Sequence, residues 1–516
     1  MNIGVLDILD LPSCNPARTV YHLLMTKQYA AITPQAISFC CRRMGHRTFY
    51  ATYYGVGAPE RKLPKDLDVL FIACHTPTSG LAYAVSKIFR RRGTRTVVGG
   101  PHAKAFPLDC SRFFDVTVKD CDRGLVERIL ADEFEPGSIV TCDPDYDELP
   151  TIEERMPEVR KSAFAFGRKY VFSTTIPLLG SVGCPYDCNF CIDWNSTYKT
   201  LSTDRLRTEL EYLAKHLPGT FIAFHDPNFA IKFDQVLDVL ASLPRGQRLP
   251  YIVESSLSVL RGDRPKRLKE TNCASMAPGI ESWMDFSKKA GVGKMLGMQK
   301  VEQVAAHCRE IQDNVPYIQG NFILGLDTDV GDEPFELTKS FMTLAPFVWP
   351  AINIPVPFGN TPLYDTHLSE GRLRRQMPFQ FYYAPYLVTT LKHYEPIRYY
   401  EKFIELLEHA SSMRMLSRRL PTTWSNVART VHCARTAGMR AAIPSYRRVL
   451  NFLKTDRTFR RFHEGESDAL PSFYQQEYDR LLGKYAVLIS PQERIPRLAE
   501  PTTSAAKPQP LVKLAV

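Results

Sequence analysis

The sequence predicts an α/β protein: a doubly wound, Rossmann-like parallel sheet, then a partial (β/α)6 barrel, then a helical C-terminal region. Three observations predict it. Short apolar, β-branched runs alternate with single amphipathic helical patterns up to about residue 365, which is how parallel strands joined by crossover helices read. The alternation breaks once, at an acidic, proline-bearing stretch, CDPDYDELPTIEERMPEV. After residue 365 the strand signals stop and helical periodicity continues alone. The resulting boundaries are 1–140 for the first sheet, 141–168 for a linker, 169–365 for the barrel, 366–498 for the helical region and 499–516 for a disordered tail. A length of 516 residues accommodates two to four domains.

In the first unit, NIGVLDIL is a strand and ITPQAISFCCRRMG an amphipathic helix stopped by Gly45. HRTFYATYY and DVLFIAC are the second and third strands. The loop HTPTSG leads into LAYAVSKIFRRRG, a helix with a basic end and a glycine stop. TRTVVGG and FDVTVKD are the fourth and fifth strands. Doubly wound sheets bind ligands beyond the carboxyl ends of their strands. There the sequence places small residues that let a ligand reach the backbone: Thr78, Ser79, Gly80, Gly99 and Gly100.

The barrel strands are KYVFSTTIPLLGS, TFIAFHD, PYIVESS, CASMAPGIES, YIQGNFILGL and PAINIPVPF, with helices such as TDRLRTELEYLAKHL and VEQVAAHCREIQ between them. Six strands make a partial barrel and not an eightfold one.

Composition narrows the class. The chain is 44% hydrophobic and 23% charged, and no apolar run approaches the roughly 20 residues of a membrane span. MNIGVLDILDLPSC lacks the basic region and long apolar core of a signal peptide, and the 13 cysteines are odd in number. The expectation is a reducing cytoplasm, with most cysteines buried as small hydrophobes. The net charge of +10 is concentrated: residues 366–516 hold 24 Lys and Arg against 13 Asp and Glu. Arg414, Arg418, Arg419, Arg429, Arg435, Arg440, Arg447 and Arg448 fall in a stretch, 411–450, without a single acid. The asymmetry marks a separate module with its own partner preference. It reads as solvated helix faces or as a surface for an anionic membrane, an acidic substrate or RNA. RNA ranks lowest, since no RNA-binding motif is present.

The sharpest signal is GCPYDCNFC at 183–191, which places Cys184, Cys188 and Cys191 within eight positions directly after a strand. The spacing fits no disulfide framework. Three thiolates hold three irons of a 4Fe-4S cluster and leave the fourth iron open. The alternative, structural zinc in a non-catalytic binding protein, needs a fourth ligand, with His225 and Cys273 as candidates.

CPYDCNFC, with the aromatic Phe190 before its last cysteine, resembles the radical S-adenosylmethionine (radical SAM) superfamily. The resemblance implies that Cys184, Cys188 and Cys191 ligate the cluster, that the open iron chelates the amino and carboxylate groups of SAM, and that reductive cleavage yields a 5'-deoxyadenosyl radical. It extends to four further segments in order. AFHDPNF resembles the end of the family's second strand, placing Asp226, with His225 beside it, near the SAM amine. APGIES resembles the fourth-strand motif, placing Glu281 and Ser282 near the SAM ribose or carboxylate. GNFILGL, with Gly320 and Ile323, resembles the fifth-strand signal that lines the adenine. PVPFGNTPLYD resembles the sixth-strand ending. The chain departs from the family at SVGC, where an arginine often precedes the GC.

The first unit resembles the cobalamin-binding domain that precedes the barrel in one large radical SAM class. The resemblance rests on Gly45 and His46, the TPTSG loop, VVGGPHA, and FDVTVKDCDRGLVERIL, in which DCDRG stands where the family has GEGE. It implies that the small residues named above hold the nucleotide tail of cobalamin. The D-x-H-x-x-G motif of some cobalamin enzymes is absent. Two other readings stay open for this unit: a scaffold without ligand, and a methylthiotransferase-like domain using Cys14, Cys40 or Cys41, and Cys74 for a second cluster.

The resemblance implies cobalamin-dependent methylation of an unactivated carbon in a small-molecule or lipid-like substrate, with electrons from a donor such as flavodoxin or ferredoxin. Radical ring formation, rearrangement or oxidation without methyl transfer is the alternative. Tyr186, His225 and Glu254 are candidates for acid–base or substrate contacts.

Overall fold

The structure, a computed structural model, describes residues 1–13, 19, 29–164, 167–168, 174–284, 286 and 288–498. Cys14, residues 169–173 of the expected first barrel strand, and the tail 499–516 lie outside the described residues.

The first sheet contains β1 (Asn2–Asp10), β2 (Arg47–Tyr54), β3 (Val69–Cys74), β4 (Arg95–Gly99), β5 (Val116–Val118) and β6 (Ser138–Val140). They run parallel in the order β2-β1-β3-β4-β5-β6. The helices packed on it include α1 (Ile32–Arg43) and α2 (Ser79–Arg90). The loop HTPTSG is shorter than its sequence suggests: Thr76–Thr78 form a single 3-10 turn and Ser79 already starts α2. β6 was not expected. It is a three-residue strand with no fully buried position, which leaves no hydrophobic alternation to read.

The interval 141–168, read as a linker, contains α3 (Met156–Ala163), whose Met156, Val159 and Ala163 are buried in the core of the second sheet. Arg155, just before α3, is fully buried and donates to Gln35 Oε1 of α1 (2.6 Å) and to the carbonyl of Pro177 (2.8 Å). The interval therefore joins the two sheets.

The second sheet begins with β7 (Thr175–Leu178). β8 (Ser181–Val182) and β9 (Lys199–Thr200) then form a small antiparallel ribbon around residues 183–198. β10 (Phe221–Phe224), β11 (Tyr251–Ser256), β12 (Cys273–Glu281), β13 (Tyr317–Ile323) and β14 (Val348–Asn353) complete the sheet. Six parallel strands stand in consecutive order from β7 to β14, which is an open (β/α)6 barrel. Its crossover helices include α4 (Gly297–Gln312), and α5 (Pro362–Ser369) follows β14.

The C-terminal region is helical: α6 (Pro396–Ala410), α7 (Met413–Thr422), α8 (Asn426–Thr455) and α9 (Ser472–Leu482) are its main elements. It is not a separate module. One continuous core takes Leu6, Ile72 and Val98 from the first sheet, Leu81 and Phe89 from α2, and Phe381, Tyr399, Tyr400, Leu453 and Tyr474 from the C-terminal region. Apolar faces on both sides, and not only charge, decide its place.

Candidate active site

The cysteine loop is held at the carboxyl-terminal mouth of the barrel by the β8–β9 ribbon. Gly183 has φ +69, and a Cβ there would lie 2.3 Å from the carbonyl oxygen of Thr197. Only glycine permits the chain to enter the loop this way. The loop then turns on itself: Cys191 N–H donates to Cys188 O (3.0 Å) and Trp194 N–H to Cys191 O (3.1 Å). Cys184 is buried, and Cys188 and Cys191 are half-buried. The start of α5 clamps the loop from outside: Leu363 N–H donates to Asn189 O (2.9 Å) and Trp194 Nε1 to Asn360 O (2.9 Å). The PVPFGNTPLYD segment thus supports the cysteine loop. Phe190 stacks on Phe286, ring centroids 5.6 Å apart, with Lys289 Nζ 6.0 Å from the Phe190 centroid.

Asp226, at the end of β10, is buried and turned toward the cysteine loop. Its Oδ1 accepts from Gly180 N–H (2.9 Å) and its Oδ2 from Ser181 Oγ (2.5 Å). Burial raises its carboxyl to about 6, against the hydrogen bonds that lower it. Two residues on, Asn228 donates to Cys184 Sγ (3.7 Å) and accepts from Ser256 N–H (3.0 Å). Ser256 and Ser258 continue this chain to Tyr186, whose hydroxyl lies 2.5 Å from Ser258 Oγ.

Glu281 ends β12 at a register shift and has φ +65, a left-handed conformation unusual for glutamate and of the kind that collects at functional sites. Gly279 makes room for it, since a Cβ there would lie 2.3 Å from Glu281 Oε1. Burial pushes the Glu281 carboxyl up to about 7, with Lys289 and Lys300 pulling it back. Glu254 is likewise raised by burial and lowered by Lys289. For Lys289, burial works against the charge, but the Cys188 thiol and Glu281 outweigh it and hold the ammonium above its ordinary range. Ser282 is committed elsewhere: its Oγ donates to Asp329 Oδ1 (2.8 Å), and Asp329 Oδ2 accepts from Gly325 N–H (2.9 Å). Gly320 is packed tightly, with Ile280 and Val348 3.0 and 3.2 Å from where a Cβ would stand, and Ile323 ends β13 half-buried.

A cavity of about 390 Å³ lies between the two units, within the range of small-molecule sites. Asp7, His75, Gly99 and Gly100 wall it at the carboxyl ends of β1, β3 and β4, and Asp193 and His225 wall it from the barrel side. Gly100 has φ +92, and a Cβ there would come 3.1 Å from the carbonyl of Cys74, so this wall stays bare. Lys104 spans the two sides, 3.3 Å from Asp120 and 3.8 Å from Asp193. Burial lowers His225 to about 4 and raises Asp7 to about 7.

Gly99 and Gly100 therefore line the cavity, whereas Thr78, Ser79 and Gly80 do not. Thr78 Oγ1 caps its own turn, 3.0 Å from His75 O, and Gly80 lies under the C-terminal region, where a Cβ would meet Gln380 Nε2 at 1.6 Å. Their smallness serves packing. Sequence reasoning missed Asn228, Lys289 and Asp329. Asn228 stands inside a quoted motif, and Lys289 follows another by seven residues. Asp329 carried no local signal, because only the fold brings it to Ser282.

The zinc alternative loses Cys273, while His225 stays on the cavity wall. Cys273 begins the nine-residue β12 whose other end is Glu281, roughly 26 Å away at the rise of an extended strand. Among the described residues, no group of three or more His, Cys, Asp or Glu is placed to hold a single metal ion. Cys41 and Cys74, proposed for a second cluster, are buried, and burial raises both thiols. Three cysteines on one loop, with an amide donor at one sulfur, do fit a 4Fe-4S cluster with an open iron. The bare glycine wall fits a bulky cofactor tail.

Residues 178–340, from the end of β7 through the helix after β13, match the radical SAM superfamily. Residues 178–340 therefore form a radical SAM domain. That domain makes the chain an enzyme whose cofactors are a 4Fe-4S cluster and SAM. The chain is 24% identical over 365 residues to the bacteriochlorophyllide d C-8(2)-methyltransferase of Chlorobaculum tepidum, covering 66% of this chain and 77% of that one. It is 29% identical over 212 residues to the hopanoid C-2 methylase of Rhodopseudomonas palustris, covering 38% and 39%. Among solved structures, it shares its fold with the cobalamin-dependent S-adenosylmethionine radical enzyme OxsB with aqua-cobalamin bound. The TM-score is 0.57 at 12% identity, over 96% of this chain and 80% of that one. No helix among the described residues is long and apolar enough to cross a membrane.

Proposed function

We propose that this radical SAM enzyme methylates an unactivated carbon of a small-molecule or lipid-like substrate, with cobalamin held by the first domain. The observation that carries the reading is the shared cavity. Gly99 and Gly100 stand on one side of it, and Asp193, two residues beyond Cys191, stands on the other. A group bound in the first domain therefore reaches the rim of the cysteine loop. The named methyltransferase relatives support the reaction class.

When bound, the cluster with SAM supplies hydrogen abstraction and cobalamin supplies a transferable methyl group. The chain's own residues bind and orient. Cys184, Cys188 and Cys191 are the cluster ligands in this reading, with Asn228 donating to one sulfur and Asp226 fixing the loop's entry through Gly180 and Ser181. Glu281, which is buried, and Lys289, which is half-buried and within electrostatic reach of Cys188 and Glu281, are the polar groups for SAM in this reading. Electrons come from a flavodoxin- or ferredoxin-type donor.

The test is iron and cobalamin content of anaerobically reconstituted protein, with SAM cleavage as the second readout. A full cluster with one cobalamin per chain supports the reading. A full cluster without cobalamin removes methyl transfer and leaves radical ring formation, rearrangement or oxidation. Cys188→Ala is expected to lose both cluster and cleavage; unchanged iron in that variant would remove the ligand assignment.

A further inference from the structure

The arginine-rich stretch 411–450 is not used by the proposed reaction, and the structure divides its cations into two kinds. Arg419 is fully buried. Its Nε donates to Pro346 O (3.1 Å), a second nitrogen donates to Ala410 O (3.3 Å), and the guanidinium lies 4.9 Å from the Trp349 centroid. Arg429 holds the α7–α8 turn through the carbonyls of Leu420 and Thr423, and Arg440 donates to Ser411 O. Arg447 and Arg448 pair with Glu408 and Glu477. Arg414, Arg418 and Arg435 are exposed and make no ion pair among the described residues.

Around Arg414 and Arg418 the surface is apolar. The outer face of α7 runs Met413, Arg414, Ser417, Arg418, Pro421, all exposed and at the spacing of one helical side. The chain then presents Trp424 and, in the first turn of α8, Val427. Met413, Trp424 and Val427 are 60, 52 and 72% exposed. The indole is pinned where it is: Trp424 Nε1 donates to Gln312 O at 2.8 Å. Exposed Glu310 and Asp313, at the end of α4, bound the patch on that side. A large aromatic and two aliphatics held outward among unpaired arginines match the boundary between headgroups and acyl chains of an anionic bilayer. Nucleic acid would use the arginines but not the apolar tip.

We propose that α7 and the first turn of α8 dock the enzyme on the surface of a membrane containing anionic phospholipid. Met413, Trp424 and Val427 enter the interface, and Arg414 and Arg418 meet phosphate. Pro346, Trp349 and Gln312 stand at the amino-terminal ends of β13 and β14, so the docking face is at the opposite end of the barrel from the cysteine loop. Docking therefore places the enzyme at the membrane without pressing the site mouth against it, and it does not depend on methyl transfer.

The test is co-sedimentation of the whole chain with phosphatidylcholine vesicles, with and without phosphatidylglycerol. Binding is expected only with phosphatidylglycerol, and with a blue shift of tryptophan emission that Trp424→Phe removes. Arg414→Gln and Arg418→Gln each weaken binding about fivefold. Trp424→Ser combined with Val427→Ser weakens it about tenfold or more. Arg128→Gln, an exposed arginine of the first domain, leaves it unchanged. Two results would overturn the proposal: no binding to either vesicle at low salt, or binding indifferent to Trp424 and Val427 and matched by single-stranded RNA. All five positions are exposed, and thermal melts of the variants control for folding.

Discussion

At the residue scale, the site rests on positions where one side chain, or its absence, decides whether the loop can form. Gly183 is one. Alanine there must hold a left-handed φ, at roughly 1–2 kcal/mol, and also meets the Thr197 carbonyl. Gly183→Ala is expected to lose most of its iron on reconstitution while far-UV circular dichroism stays native. Full iron would show that the loop closes by another route. Asp7 is a second. It is buried with one backbone donor, Ala31 N–H at 2.9 Å, and its carboxyl is raised to about 7 from 3.8. A raised folded-state value means the native state holds the proton more tightly than the unfolded chain. The stability from this group is complete below about pH 4 and is lost as pH rises through 7, on the order of 4 kcal/mol at most. Asp7→Asn keeps an acceptor for Ala31 and is expected to flatten the decline of apoprotein stability between pH 5 and 7. An unchanged slope would place the titration elsewhere.

At the element scale, what the sequence shows depends on whether an element carries its own pattern. The barrel strands do: TFIAFHD, PYIVESS and YIQGNFILGL are apolar runs between helices, and each becomes a strand in sequence order. The cysteine motif is legible because its spacing is local. β6 is too short and too exposed to show alternation. α3 hides in EERMPEV, where acids and a proline suggest a linker, because its stability comes from burying Met156 and Val159 against the second sheet. Thr78, Ser79 and Gly80 illustrate the opposite error. Small residues beside a strand end read as a ligand cradle, yet here they admit Gln380. Smallness signals close approach but does not say of what. Arg155 makes the α3 reading testable. Arg155→Ala leaves Gln35 and the Pro177 carbonyl without their donor in a buried seam, at about 2–5 kcal/mol. Limited proteolysis is expected to cut first within 141–168. Unchanged protease resistance would show that the seam does not depend on this guanidinium.

At the scale of the whole molecule, the C-terminal helices act as a strap across both sheets. They hold the first domain through Lys87 with Glu493, Arg112 with the carbonyl of Ile495 (2.9 Å), and Tyr485 with Glu60 (2.7 Å). They hold the barrel through Tyr399, whose hydroxyl donates to Leu324 O at 2.7 Å, and through Arg372 on Asp327. The shared cavity has walls on both sheets, so its shape depends on this strap. A chain ending at residue 365 would uncover Leu81, Phe89 and Phe106 of the continuous core. It is expected to aggregate, and not to survive as a soluble two-domain enzyme. Gly80→Val tests the same contact within the full chain, because its side chain must displace Gln380 or Tyr478. Overpacking of this kind costs about 1–3 kcal/mol. If the C-terminal region folds as one unit with the first sheet, the loss appears as a lower midpoint of a single transition, coincident by circular dichroism and tryptophan fluorescence. Two separated transitions in Gly80→Val, or a soluble 1–365 chain that takes up a full cluster, would show instead that the C-terminal region is an independent module. The strap would then have no part in shaping the cavity.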